Sequence, residues 1–569
     1  MNALFRLVCT GLIWGQTRFL PSAADTLRGV APTYLPSYQP WYDPLDTLPY
    51  FVSRLGYFKP YLAWVEGLPH YEEPWAILPA SQAAYLTEKP PLIWTAAPYT
   101  RVRFDQSSRR TQLLSVLHGQ KLRSWGGFSL AYQRRTREGE YVGQLTDHWG
   151  AALRAFVRKG RWSWESALTW NQLQDQINGG VVYDTAEGPW TAFGKASQPV
   201  LLKQTRWRRW KRSLSTTLAF SFTAQAYLYL SAELLQDHFH PEGADTPPFS
   251  PLLADTLPVS WHVTSSLRTL GGGVVHPKGQ VALRLFQTTG EADRLLNPWQ
   301  LQGLEGEAAW QTKHLSVEGT YRRYLHSGAP PPSGSVRGVG QYGPFSVGVR
   351  YQSRNLPWLA YQYRGASFPQ PNENILEAWG EVALPVQDSL QPPLRVRAWT
   401  AKYRAPWRWA GTFYRGPAQQ SYGLTLRGGW SFYKGGVVLG LTAQHLVGET
   451  RWTSCLPALY GWVQPFFRWK LPGRPPLYEL GVRLKGFSPF RPLRYDPLAG
   501  LFYPESGLPA QPAFVQADPY LVIQIRRLLI YLRVEQATEG LLSPGYYLTA
   551  WYPMPGRAFA FGVQWDLYN

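Results

Sequence analysis

From about Tyr99 to Asn569, apolar and polar residues alternate with period two, in segments of roughly nine to twelve residues bounded by Gly, Pro, Asp or Asn. In an extended strand successive side chains leave opposite faces, so this pattern describes a sheet with one apolar and one polar side. Ser213 to Leu228 is the clearest run: Leu214, Thr216, Leu218, Phe220, Phe222, Ala224, Ala226 and Leu228 share one face, and Ser213, Ser215, Thr217, Ser221, Thr223 and Gln225 take the other. Strands of soluble sandwiches usually run about five or six residues, whereas a tilted strand crossing a bilayer needs about nine to eleven. Segment length therefore predicts an all-β chain forming a transmembrane antiparallel β-barrel with long external loops.

A soluble chain of 569 residues would usually divide into several domains, yet no charged or Ser/Gly-rich linker separates two cores. One large closed sheet accounts for the length. The 27 Trp, 34 Tyr and 25 Phe exceed ordinary soluble usage and suit the aromatic girdles at the two membrane interfaces. Mean hydropathy is only -0.28, and no run of 18 or more apolar residues could form a spanning helix. A barrel keeps its average polar because half of each strand faces water.

The formal charge of +20 is compatible with nucleic acid, lipid phosphate or an anionic solute as partner. The two cysteines, Cys9 and Cys455, offer no redox motif, and Cys9 lies too near the start for a lipoprotein acceptor. Arg6 followed by the apolar Leu7 to Trp14 reads as an export signal within residues 1–24, with cleavage after Gly15 or Ala24. Residues 25–97 are rich in Pro with interleaved Tyr and Trp. Proline removes ladder donors, so this segment is expected to lie in or under the barrel, luminal or periplasmic, rather than in its wall. It is too short and too irregular to resemble the large N-terminal plug of TonB-dependent receptors. Residues 98–569 form the expected barrel.

Apolar faces recur at Trp149/Ala151/Leu153/Ala155/Val157 and, after Lys159-Gly160-Arg161, at Trp162/Trp164/Ser166/Leu168/Trp170. Others are Val259/Trp261/Val263, Val281/Leu283/Leu285, Tyr422/Leu424/Leu426 and Phe559/Phe561/Val563/Trp565/Leu567. Long irregular stretches at Asn178 to Arg212, Gln236 to Pro258 and Gly486 to Asp518 read as external loops. At roughly 25 to 30 residues per strand with its share of connections, the span predicts about 16 to 18 strands, a size that can hold an aqueous channel. The last segment, Ala558 to Asn569, resembles the amphipathic aromatic strand by which outer-membrane barrels are recognised for assembly, with Trp565 and Tyr568 nearest the usual terminal aromatic.

Between Pro98 and Val181 the chain carries Pro98-Tyr99-Thr100, a strand from Gln112 to Gln120, Arg135 to Tyr141, Gln144 to His148 and Asn178-Gly179-Gly180. In that order these elements resemble the first strands of a family described as putative porins of diderm bacteria. The resemblance covers about 80 residues. It implies an outer-membrane barrel and passive transport, with no catalytic residues carried over.

Parity of the apolar faces turns Arg101, Arg103, Arg154, Arg158, Arg284, Arg322, Arg395, Arg397, Arg427, Arg483 and Arg533 inward. The inward acids are fewer: Glu165, Glu318, Glu377, Glu381, Glu479 and Glu535. A lumen with this excess prefers anions; alternatively the arginines pair with the acids and fill the interior. The run Arg206, Trp207, Arg208, Arg209, Trp210, Lys211 and Arg212 stands just before the long strand from Ser213. At a barrel rim such residues suit lipopolysaccharide phosphate and the aromatic belt. A solvated loop and single-stranded nucleic acid are the alternatives, and no nucleic-acid partner is expected.

No enzyme motif survives its context. Gly338 to Gly343 fits a dinucleotide fingerprint by letter, but Pro344 follows and no helix begins there. Asp147, His148 and His118 lack a motif-fixed nucleophile, and His238 and His240 near Asp237 offer only two imidazole ligands in an expected external loop. Neither cofactor nor metal is expected. The sequence thus predicts an outer-membrane porin for passive diffusion of small hydrophilic solutes, anion-preferring, meeting outer-membrane lipid, lipopolysaccharide and the barrel-assembly machinery. A structural or secretion-associated barrel with a blocked lumen and an outer-membrane lipid hydrolase are the alternatives.

Overall fold

A computed structural model describes residues 86–93 and 97–568, apart from 183–198, 201–204, 243–262, 293–295, 326–330, 355–372, 385–393, 405–406, 410–412, 449–452, 471–476, 497–500, 505–508, 542–546, 554–555 and a few single positions. The export signal, residues 25–85, Val259 and Trp261 lie outside the described residues.

The alternating segments form β1 Tyr99–Ser107, β2 Thr111–Arg123, β3 Gly126–Arg137, β4 Thr146–Lys159, β5 Trp162–Gln176, β6 Arg206–Ser221, β7 Tyr227–Glu242 and β8 Val263–His276. They continue as β9 Gly279–Ala292, β10 Leu296–Gln311, β11 Leu315–Tyr324, β12 Ser333–Tyr342, β13 Phe345–Arg354, β14 Glu373–Leu384 and β15 Leu394–Arg404. The last seven are β16 Gln419–Phe432, β17 Gly435–Val447, β18 Leu459–Lys470, β19 Leu477–Phe487, β20 Phe514–Ile525, β21 Leu528–Glu535 and β22 Ala558–Tyr568. Each strand pairs antiparallel with its chain neighbour, and β22 returns to β1 with Tyr99 opposite Tyr568 and Ser107 opposite Ala560. The 22-stranded sheet is closed and has no free edge to aggregate through.

Side-chain chemistry holds that closure as well as the ladder does. Tyr99 and Arg101 of β1 both bind the Asp566 carboxylate of β22, the arginine through Nε at 2.7 Å. Asp105 accepts from the Tyr531 hydroxyl of β21. A charge-assisted bond of this kind contributes about 1.5–3 kcal/mol, roughly twice a neutral one.

Strand number exceeds the expected 16 to 18. From Tyr99 to Tyr568 the chain spends only about 21 residues per strand, because one end of the barrel turns tightly. The connections 124–125, 160–161, 277–278, 343–344, 433–434 and 526–527 are two residues long. Gly160 (φ 60°) and Gly343 (φ 55°) supply the left-handed conformation that such hairpin turns require. That end also carries Tyr99 and Tyr568. The five longest connections, 177–205, 243–262, 355–372, 488–513 and 536–557, join strands at the opposite end.

The outward face is the predicted apolar one. Leu153, Leu168 and Leu214 stand side by side across β4, β5 and β6, each more than a third exposed with no protein to cover it. Two aromatic rows bound this band. Trp162 meets Phe220 at 5.0 Å near the tight turns, and Trp149 meets Trp170 at 5.8 Å toward the loops. Along β5 the rows are eight residues apart, roughly 20 Å across the membrane for a strand tilted by about 40°, close to the roughly 25 Å apolar band of known barrels.

Candidate functional site

The polar parity of the same strands turns inward, and the structure places all the arginines expected there on that side. Ladder partners show it: Glu305 stands opposite both Arg284 and Arg322, Arg395 opposite Arg427, and Tyr520 opposite Arg533. Most of these guanidinium groups are neutralised. Arg154 donates to Glu165 at 2.6 Å, Arg103 pairs with Asp105 at 2.7 Å, and Arg284 bridges Glu305 and Glu307 at 3.0 and 3.2 Å. Arg322 shares Glu305, Arg395 takes Glu381 at 3.0 Å, and Arg533 binds Glu535. Arg397 and Arg483 lie over the rings of Trp379 and Trp462, at 4.8 and 4.6 Å. Arg158 and Arg427 are exposed and, among the described residues, carry no ion pair.

Among the described residues sequence reasoning missed further arginines of this wall, Arg337, Arg350 and Arg468 among them. These three bind Glu318 at 3.1 Å, Glu377 at 2.6 Å and Glu479 at 2.7 Å. Their parity was readable, since Val347, Val349 and Tyr351 alternate with Arg350. What a single sequence lacks is the register that sets each arginine beside an acid on the next strand.

A second feature had no periodic signal at all. Residues 86–93 run along the inner wall from β5 to β2 before the chain enters β1. Asn171 grips the backbone of Thr87 at both groups: its Oδ1 accepts from Thr87 N–H at 2.6 Å and its Nδ2 donates to Thr87 C=O at 3.1 Å. Lys89 binds Glu165, and Arg154 donates to the Pro90 carbonyl at 3.2 Å. Ile93 N–H donates to Ser129 Oγ at 3.1 Å, and its side chain packs on Tyr99 and Leu117. The wall is cut to fit this strap: a Cβ at Gly119 would collide with Ile93, and one at Gly150 with Thr87 and Asn171. Residues 86–93 therefore lie against the inner face of the wall.

At the loop end, connections from distant strands lock together. Tyr141, Val181 and Val200 are buried against Trp551, and Val181 N–H donates to the Trp551 carbonyl at 2.7 Å. Ala550 N–H donates to Leu493 C=O at 2.9 Å, Arg491 N–H to Ser454 C=O at 2.9 Å, and Arg494 stacks on Trp551 at 5.3 Å. Backbone groups removed from water must be paired, and here the loops pair one another across the mouth.

The run Arg206 to Arg212 is the first half of β6 rather than a loop preceding it. Strand parity therefore divides it. Arg206, Arg208, Trp210 and Arg212 share the outward face with Leu214, whereas Arg209 and Lys211 share the inner one with Ser213. Arg209 is buried and clasps Asp237 of β7, with Nε 2.8 Å from Oδ1. Trp207 belongs to the strand, but its side chain lies outside the described residues.

Asp147 and His148, being adjacent, point to opposite sides of the wall. Asp147 pairs outward with Arg134 at 3.1 Å, and His148 is buried inward against Asp175 at 2.6 Å. His118 faces outward and meets Thr100 Oγ1 at 2.8 Å, so Asp147, His148 and His118 do not converge on one site. Gly338 and Gly340 lie within β12, a strand. Among the described residues no three metal-ligating side chains cluster, and His238 and His240 face outward on β7.

Residues 457–569, comprising β18 to β22, match the model of a family described as a putative porin. This is a different stretch from the one whose motifs resemble that family near the first strands. Among solved structures the chain is similar to the ferric yersiniabactin uptake receptor FyuA from Yersinia pestis, at 12% identity over 84% of this chain and 81% of that one, TM-score 0.56. The FrpB iron transporter from Neisseria meningitidis, F5-1 variant, matches at 9% identity over 85% and 83%, TM-score 0.60. The copper transporter OprC matches at 10% identity over 84% and 82%, TM-score 0.59. At such identities the likeness is one of fold. No protein of curated function matches the sequence.

Proposed function

For this outer-membrane transport barrel we propose passive diffusion of small hydrophilic solutes with a preference for anions. The observation that carries the reading is the state of Arg158 and Arg427, exposed on the inner side with no carboxylate partner among the described residues. Among the described residues most acids of the wall are engaged by other arginines and by Lys89 and Lys485, and Asp175 by His148, so the remaining field of the interior is positive. A guanidinium stays charged at any physiological pH, and basic groups along a pore favour anions.

The barrel is also wide. With strands about 4.8 Å apart and tilted by about 40°, 22 of them give a backbone radius of roughly 20 Å. Barrels of 16 to 18 strands leave an aqueous channel, and 22-stranded transporters hold a plugged lumen. Size-limited diffusion through so wide a barrel calls for a constriction, which the strap at residues 86–93 and the interlocked loops are placed to supply.

The strap also favours a second reading, a structural or secretion-associated barrel with its lumen blocked. Single-channel recording of the refolded full chain in planar bilayers, with the reversal potential measured in a salt gradient, separates them. Diffusion predicts steady conductance and a reversal potential on the anion side; absence of conductance rejects it in favour of the blocked barrel. We further propose that Ala558–Tyr568, whose Phe559, Phe561, Val563, Trp565 and Leu567 share one face, engages the barrel-assembly machinery during biogenesis.

A further inference from the structure

The outward face of β6 to β8 changes character abruptly toward the loops. Below, the ladder rows are apolar: Leu168, Leu214 and Leu234 stand in register, and Leu218 stands beside Leu230. One step above that row come Trp170, Arg212, Gln236 and Ser266; higher still, Arg208 lies beside His240 and Trp210 beside His238. Arg206 stands at the top of the same face. On β8, Arg268 is exposed next to Leu234, inside the upper edge of the apolar band. Arg212 lies 4.4 Å over the Trp170 ring, which holds its guanidinium at the level of the upper aromatic row.

Neither basic nor apolar surface is remarkable alone at a barrel wall; their continuity on one lipid-facing sector is informative. Arg206, Arg208 and Arg212 on β6 and Arg268 on β8 flank β7 on this face. Among the described residues of this face on β6 to β8 the acid is Glu242, which pairs with Arg208 at 3.4 Å, both side chains remaining more than a third exposed; Glu291 stands one strand further, on Thr264. A soluble anion would have no use for the leucines beneath. A phosphorylated lipid uses both, its phosphates reaching the guanidinium groups while its acyl chains lie on Leu168, Leu214 and Leu234.

We propose that this sector is a binding surface for a phosphate-bearing outer-leaflet lipid of the lipopolysaccharide type. Arg206, Arg208, Arg212 and Arg268 hold the phosphates, Trp170 and Trp210 frame the headgroup, and His238 and His240 add hydrogen-bonding capacity. Arg209 and Lys211, though part of the same basic run, take no part because they face the lumen. The proposal rests on the outer-membrane placement and not on conduction, so a barrel that fails to conduct leaves it standing.

The test measures binding of purified lipopolysaccharide to the detergent-solubilised full-length barrel, using intact and enzymatically dephosphorylated forms as probes. The variant R206Q/R208Q/R212Q/R268Q is compared with R123Q/R161Q/K278Q/K313Q, which removes as many exposed charges from the tight-turn end. The first should weaken binding of intact lipopolysaccharide by at least about tenfold and flatten its salt dependence, since each basic residue at a lipid surface contributes a several-fold share. The second should bind as the unmodified chain does. Dephosphorylation should weaken binding to the unmodified chain and matter little to the first variant. Should that variant fail to refold, as judged by heat-dependent gel migration, R268Q alone is read the same way, with a several-fold loss expected. Equal binding by the unmodified chain and the rim variant overturns the proposal. So does competition by inorganic phosphate or polyphosphate as effective as that by lipopolysaccharide, which would make the sector a site for soluble anions.

Discussion

Lysine placed in turn at Ala232, Leu228 and Ser231 of β7 tests both the depth and the sidedness of the wall with three nearly adjacent substitutions. Ala232 faces outward, opposite Thr216 on β6 and Leu270 on β8, in the row that also holds Ser166. That row lies four residues along β5 from Trp162 and four from Trp170, so roughly 10 Å from each aromatic boundary. A lysine at the middle of the lipid face costs about 2–4 kcal/mol, falling to about 0–1 kcal/mol near the interfaces. Leu228 shares the outward face but lies opposite Phe220, in the lower aromatic row. Ser231 has Ala232's depth and the opposite parity, half-buried on the inner face with its hydroxyl on the Gly271 carbonyl at 3.5 Å. The expected order is therefore Ala232→Lys severe, and Leu228→Lys and Ser231→Lys mild, the last because a luminal lysine can keep its ammonium in water. Equilibrium urea unfolding from lipid vesicles, followed by tryptophan fluorescence and heat-dependent gel migration, reads the series. A cost at Ser231 equal to that at Ala232 would mean the strand is turned over, since a slip of one residue exchanges its faces. Equal costs at Ala232 and Leu228 would refute the placement of the membrane between the aromatic rows.

Replacing Arg158 and Arg427 together by Glu should move the reversal potential toward cations with refolding unchanged, because lumen substitutions tune selectivity rather than insertion; an unmoved potential in a conducting channel removes this pair as determinants. Asp566→Asn takes the charge from a carboxylate bound by Tyr99 and Arg101, so the closing pair β1/β22 should lose about 1.5–3 kcal/mol, seen as a lower urea midpoint, and a midpoint equal to the parent's would show that the ladder alone closes the barrel. Asn171→Ala strips both hydrogen bonds from Thr87 and should raise single-channel conductance while leaving the β-sheet circular dichroism spectrum intact, whereas unchanged conductance would show that the strap does not narrow the pore.

Faces were legible in the sequence because a period of two is a local property: Leu214, Leu218 and Phe220 announce the lipid side of β6 without reference to any neighbour. The strand total was not, because it depends on how much chain the connections consume, and turns such as 124–125 and 526–527 are shorter than an average loop allowance. Arg206 to Arg212 shows the same limit from another side. Seven basic and aromatic residues in a row obscure alternation, and only the ladder beside β5 and β7 shows that Arg209 belongs to the interior and Arg208 to the rim. The strap was legible by exclusion only. Prolines removed it from the wall, but its anchors Asn171, Glu165 and Ser129 read in the sequence as ordinary inward polar residues.

Selectivity and constriction in this barrel should be physically coupled. At physiological ionic strength a charge is screened within about 8 Å, less than half the roughly 20 Å backbone radius that 22 strands give. In an unobstructed water-filled lumen a solute on the axis would barely feel Arg158 or Arg427, and most other guanidinium groups are already balanced by carboxylates. Under the proposed diffusion, a small excess of positive charge would decide which ions pass only where the strap and the interlocked loops force the solute close to the wall. Loosening the strap through Asn171→Ala should therefore do two things at once, raising conductance and reducing anion preference, although no luminal charge has been altered. Higher conductance with undiminished preference would locate the selective element elsewhere, in the mouth formed by Tyr141, Val181, Leu493 and Trp551.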